Sequence, residues 1–131
     1  MVVNKILQKV IAKTPKNIQL LTGGDINQVY HCTFDKQDLV VKLNSANKFP
    51  NMFEKEKKGL ELLAKSSFKI PNPIAFGTLE NFDYLVLEYI QPGSSINWEI
   101  FGFKLAQLHK ITHSQFGLDH NNYIGSLEQN N

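Results

Sequence analysis

The spacing of apolar and polar positions changes several times along the chain, and each change marks an element. Ile6, Val10 and Lys13 fall at helical spacing. They predict a short amphipathic helix that stops before Pro15, since the residue preceding a proline is pushed out of the helical region. From Ile18 the period shortens. Residues 18–22, 29–34 and 39–43 are short apolar, β-branched or aromatic runs. They predict three antiparallel strands, with a hairpin turn at Asp35-Lys36-Gln37-Asp38. Residues 50–66 read as helix, and Pro71 and Pro73 break it. Two more strands are predicted at 74–78 and 84–90 around the turn Glu80-Asn81-Phe82-Asp83. Gln91-Pro92-Gly93-Ser94-Ser95 has the composition of a linker. A helix is expected over about 97–112 with Ser94 or Ser95 as its N-cap. The tail, 113–131, is polar and predicts no closing element. The fold class is therefore α+β, a five-stranded antiparallel sheet with an inserted helix, followed by a linker and one more helix.

Composition narrows the function classes. The chain has 131 residues, 42% apolar and 20% charged. That is ordinary for a globular protein and excludes disorder and collagen-like repetition. No apolar run approaches the ~20 residues of a membrane span. Lys5, Lys9 and Lys13 interrupt the N-terminal apolar stretch, so a signal peptide is not expected. Cys32 is the only cysteine, which excludes an internal disulfide or a multi-cysteine zinc site and suits a reducing, cytoplasmic compartment. A net charge of +2 is too small to argue for nucleic acid or an anionic membrane as partner. Every basic residue is lysine. Any phosphate would thus be met by Lys or by backbone N–H groups, never by a guanidinium fork.

Three features carry candidate chemistry. Gly23-Gly24 between two strands permits positive φ and close backbone approach to a ligand, although for the pair taken alone a tight hairpin turn is the better reading. No Gly-Lys-Ser/Thr follows, and the loop leads into a strand, so neither the P-loop nor the dinucleotide fingerprint fits. Lys42 interrupts an apolar strand, sharing one face with Val40 while Val41 and Leu43 share the other. On the following helix, at ~100° per residue, Glu56 falls inside the stripe formed by Met52, Phe53, Leu60, Leu63 and Ala64. Glu54 and Glu61 fall on the solvated side. A carboxylate aimed at a core needs a cation, and Lys42 is the cation on the preceding strand. A Lys42–Glu56 ion pair is expected. Other groups promise less. Cys32 reads as a buried inert thiol and His109 as a core or interface histidine beside Trp98, Phe101, Leu105 and Leu108. His31, His113 and His120 lack ligand spacing.

A glycine turn, a strand lysine and a helix glutamate in that order is the nucleotide-binding layout of protein-kinase-like phosphotransferases. The chain further resembles the fructosamine kinase (ketosamine 3-kinase) family. The resemblance rests on Gly-Gly-Asp-Ile-Asn-Gln-Val-Tyr at 23–30, Val-Val-Lys at 40–42 and Met-Phe-Glu-Lys-Glu-Lys-Lys-Gly-Leu-Glu-Leu-Leu at 52–63. It continues in Ile-Pro-Asn-Pro at 70–73, Leu-Val-Leu-Glu-Tyr-Ile at 85–90, Leu-Ala-Gln-Leu-His at 105–109 and Phe-Gly-Leu-Asp-His-Asn-Asn-Tyr-Ile-Gly-Ser at 116–126.

The resemblance implies a kinase-like N-lobe at 1–90, and a hinge with the first helix of an incomplete C-lobe at 91–131. It implies ATP-dependent phosphorylation of the sugar 3-hydroxyl of glycated amines or glycated proteins, a deglycation chemistry. Lys42 would hold the α- and β-phosphates and Glu56 would orient it. Gly23, Gly24 and the following backbone, through Asp25, Asn27 and Gln28, would cover the phosphates. Glu88 carbonyl and Ile90 N–H would meet adenine, with Leu87 at the gatekeeper position. The family's His-Gly-Asp-Leu-Trp catalytic loop has no counterpart here. Asp25, Asp35, Asp38 and Asp83 fall in turns, and Asp119 lacks the His-Gly before it. No catalytic or metal residue is therefore assigned, magnesium is expected only in a full-length relative, and the chain alone is expected to be inactive. The last helix would pair with a complementary C-lobe chain or with a second copy. Two alternatives stay open: a non-catalytic nucleotide-binding or interaction module, and a related kinase acting on another small alcohol.

Overall fold

The computed structural model describes residues 1–22 and 26–131. Helix α1 (Val2–Ile11) ends at Ala12, whose left-handed backbone (φ 53°) turns its N–H back to the Gln8 carbonyl. Five strands follow around a second helix: β1 (Asn17–Leu21), β2 (Gln28–Thr33), β3 (Leu39–Ser45), α2 (Met52–Leu63), β4 (Pro73–Leu79) and β5 (Phe82–Glu88). They form one antiparallel sheet in the order β1-β2-β3-β5-β4. The expected α+β sheet with its inserted helix is thus the observed one. Among the described residues, no helix is long and apolar enough to cross a membrane.

The alternation along β3 and β5 decides what each face covers. Leu39, Val41, Leu43, Tyr84 and Val86 meet Val3, Ile6 and Leu7 of α1 in the main core. Val40, Leu85 and Leu87 point to the other face, against Phe53 and Leu60 of α2. The two helices are held unequally. In α1 the residues Val3, Ile6 and Leu7 are fully buried. In α2 only Met52 and Phe53, both in its first turn, are buried, and its N-cap Asn51 makes no side-chain cap hydrogen bond.

The structure corrects several expectations. Helix α2 is shorter than 50–66. The last helix, α3 (Trp98–His109), is capped by Asn97, whose Oδ1 accepts from Ile100 N–H at 3.0 Å. Ser94 and Ser95 lie too early in the chain to reach that amide. No residue of α3 is buried. Its stripe has no facing element among the described residues, so His109 is exposed and not a core histidine. Asp83 lies in β5 and not in a turn, where it accepts from Thr78 Oγ1 at 2.6 Å across the β4–β5 pair. The tail does close: β6 (Asn122–Ile124) and β7 (Leu127–Gln129) form a hairpin, with Gly125 at φ 60° supplying its turn. Three-residue strands carry too little alternation to be read from sequence.

Candidate functional site

Register, more than proximity in sequence, builds the site. Leu21 pairs with Val29, Val29 with Lys42, Lys42 with Leu85, and Leu85 with Phe76. Lys42 is therefore the one charged member of an otherwise apolar row across the sheet. Its stem lies between Val29 and Leu85, and its ammonium reaches α2. There Nζ donates to both carboxylate oxygens of Glu56, at 2.7 and 2.8 Å. The side chains retain 20% and 28% of their exposure. A pair at this depth has low net worth, but deleting one partner leaves the other charge poorly solvated. The expected ion pair is present.

The expected site residues divide into four groups. Gly23, Gly24 and Asp25 lie outside the described residues. Asn27, Lys42 and Glu56 share an open cleft of about 380 Å³ with Asn122, Tyr123 and Gly125. The Asn27 side chain accepts from Asn44 Nδ2 at 3.1 Å, which pins the start of β2 to β3. The Gln28 side chain accepts from Tyr30 hydroxyl at 3.1 Å. Gln28 also alternates away from Lys42's face, so only its backbone is available there. Leu87, Glu88 and Ile90 do not line this cleft. Leu87 sits on the same face, two residues along β5 from Leu85, or roughly 7 Å.

The segment after β5 is fixed by the β2–β3 hairpin. Tyr89 N–H donates to the Asp38 carbonyl at 3.1 Å. The Tyr89 ring stacks on His31 at 4.0 Å, and His31 Nε2 meets Asp38 Oδ2 at 2.8 Å. Asp38 Oδ1 accepts from Phe34 N–H at 3.1 Å. That amide, and then the His31 hydrogen bond, hold the Asp38 carboxyl below its ordinary range. With Tyr89 N–H taken, Ile90 N–H has no partner among the described residues. Sequence reasoning missed His31 and Tyr89, whose contact depends on the sheet order. It also missed Val29, which needs the β2–β3 register. Val40 was placed on Lys42's face by alternation alone but not counted in the site.

This sheet, with a strand lysine paired to the glutamate of the helix crossing it, defines the small lobe of a protein-kinase-like fold. Solved structures agree. A candidate fructosamine-3-kinase from Haemophilus somnus superposes with a TM-score of 0.83 at 27% identity, over 98% of this chain and 45% of that one. A spectinomycin phosphotransferase, solved with ADP and spectinomycin, has the same fold at TM-score 0.67 and 19% identity, over 86% of this chain and 38% of that one. Among curated proteins, a probable ketoamine kinase of Synechocystis is 38% identical over 115 residues, and one of Escherichia coli K12 is 30% identical over 115. The alignments take in 85% of this chain but 39% and 40% of those proteins, so the chain spans about two-fifths of their length. The fructosamine kinase family profile matches residues 1–131. The chain belongs to the fructosamine kinase family.

Proposed function

We propose that the chain is the nucleotide-binding lobe of an ATP-dependent ketosamine kinase, with residues 1–90 forming that lobe and 91–131 beginning the next. The observation that carries this is the two-pronged Lys42–Glu56 pair on the half-buried face of the sheet. Phosphoryl transfer asks little covalent chemistry of a protein; it needs the phosphates positioned and their charge balanced. Glu56 takes two of the three ammonium donors of Lys42, and the third would be left for α- and β-phosphate oxygens in the cleft that Lys42 lines. The backbone from Gly23 and Gly24 through Asp25, Asn27 and Gln28 would cover the phosphates.

The remainder of the nucleotide would follow along the same face. Val29 and Val40 offer an apolar floor on the Lys42 face, with Leu87 buried behind it at the gatekeeper position, and Ile90 N–H and the Glu88 carbonyl would meet the adenine edge. The names of the relatives support a ketoamine, a glycated amine or protein, as the phosphoryl acceptor. ATP use suits a cytoplasmic setting. These 131 residues carry no His-Gly-Asp-Leu-Trp loop, so the base and the magnesium ligands would lie elsewhere in a complete enzyme.

Calorimetric titration of the 131-residue chain with ATP, alongside a ketosamine-dependent ATP-consumption assay, tests this. The expected result is weak ATP binding that falls about tenfold or more in Lys42→Ala, a loss of ~1.4 kcal/mol or greater, with no turnover. Binding indifferent to Lys42 would remove the nucleotide reading. Robust turnover lost in Lys42→Ala would instead show that this chain holds the whole active site. Binding without turnover, even with the missing loop supplied by a longer chain, would favour a non-catalytic module.

A further inference from the structure

The β6–β7 hairpin lies outside the five-stranded sheet, yet it sits against the helix that carries Glu56. On the sheet side that helix is held mainly through Phe53 and Leu60. Its buried residues are confined to Met52 and Phe53, its N-cap has no side-chain bond, and Gly59 interrupts its middle. A helix of 12 residues is marginal without tertiary support, and any drift of α2 lengthens the 2.7 and 2.8 Å hydrogen bonds between Lys42 and Glu56.

The hairpin supplies that support through one side chain. The Tyr123 hydroxyl lies within hydrogen-bond reach of two acceptors, the Pro50 carbonyl at 3.2 Å, just before the start of α2, and Glu128 Oε1 of its own hairpin at 3.4 Å. Its ring meets Phe49 edge-on at 6.3 Å, and the Lys55 ammonium lies over it at 4.5 Å from the centroid. Lys55 immediately precedes Glu56. On the other side of the hairpin turn, a Cβ on Gly125 would stand 3.4 Å from Ile26 Cδ1, so the turn abuts the segment leading into β2. The same residues, Asn122, Tyr123 and Gly125, line the cleft that holds Lys42 and Glu56. The hairpin itself is tied at its base, where Asn131 N–H donates to Asn121 Oδ1 at 3.1 Å.

We propose that the β6–β7 hairpin braces α2 and that Tyr123 is a positioning residue, keeping Glu56 on Lys42 through its hold on the start of that helix. The functional consequence rests on the reading of Lys42 as the phosphate-holding lysine; the mechanical claim does not. A brace of this kind makes nucleotide affinity depend on a segment that follows α3 in the chain, well outside the sheet.

Two readouts on the 131-residue chain test it: amide hydrogen exchange across 52–63, with 28–45 as internal reference, and ATP affinity. Tyr123→Ala should speed exchange in 52–63 and leave 28–45 unchanged. It should weaken ATP binding about three- to tenfold and add little when combined with Glu56→Gln, because both changes break one coupled unit. Tyr123→Phe, which keeps the ring against Phe49 and Lys55, should recover most of the affinity. If Tyr123→Ala does not fold, Lys55→Met removes the cation over the ring and should move both readouts in the same direction by less. Unchanged exchange in 52–63, or full additivity with Glu56→Gln, would overturn the brace. Should the unmodified chain bind no ATP, the nucleotide reading fails, and the exchange data alone decide the brace.

Discussion

At the scale of single residues, burial separates groups that look alike in sequence. Cys32 lies fully buried in β2, and burial first, with the nearby Asp38 charge second, pushes its thiol up to about 11. An unfolded thiol ionises near ~8.5. The folded chain therefore holds its proton longer than the unfolded one. This contribution to stability is whole below ~8.5 and is lost as pH rises from there toward about 11. Urea midpoints measured from pH 7 upward should accordingly fall faster for the natural chain than for Cys32→Ala. A thiol reagent should label Cys32 only on unfolding, and labelling of the native chain at the rate of a free thiol would refute the buried state. Lys42 and Glu56 show the opposite case. Each is polar yet sits on an apolar face, and the periods of two and 3.6 alone were enough to expect their pairing. His31 and Tyr89 were not legible, because no local period records that the end of β5 lies beside the β2–β3 turn.

At the scale of elements, legibility follows length. The five sheet strands and the three helices are long enough for their apolar period to rise above local composition, and they were expected close to where they stand. The β6–β7 hairpin was missed because its strands are three residues each and its packing partner is α2, distant in the chain. Helix α2 is where element-level energetics can be tested most directly. Gly59 sits in its interior, and a Cβ built there meets nothing within 4 Å. Glycine at an interior helical position costs about 0.8–1 kcal/mol relative to alanine. Gly59→Ala should therefore stabilise the chain by about that much and raise Tm by about 2–8 °C, while slowing exchange across 52–63. An unchanged or lowered Tm would mean that residue 59 is not in a regular, open helical turn.

At the scale of the whole molecule, the two ends of the chain are treated differently by the same physics. Helix α1 spends its apolar stripe on the sheet, with Val3, Ile6 and Leu7 at 0% exposure, whereas Trp98, Phe103 and Phe116 stand at 70%, 65% and 107%. Helix α3 touches the lobe through Phe101, whose ring tilts against Phe68 at 5.7 Å, and Trp98 rests edge-on against that Phe101 at 6.0 Å. Each large side chain left in water forgoes roughly 1.5–3 kcal/mol of burial energy, and adjacent exposed aromatics form the kind of patch that drives association. The 131-residue chain should therefore bind a hydrophobic reporter dye in its native state and sediment faster as its concentration rises. Trp98→Lys combined with Phe103→Lys should suppress both effects and leave the ATP affinity unchanged, because both side chains are largely exposed and neither lines the cleft of Lys42 and Glu56. A monomer that binds no dye would refute the exposed face. Loss of ATP affinity in that double variant would instead place α3 against the nucleotide lobe in a contact beyond Phe101 and Phe68.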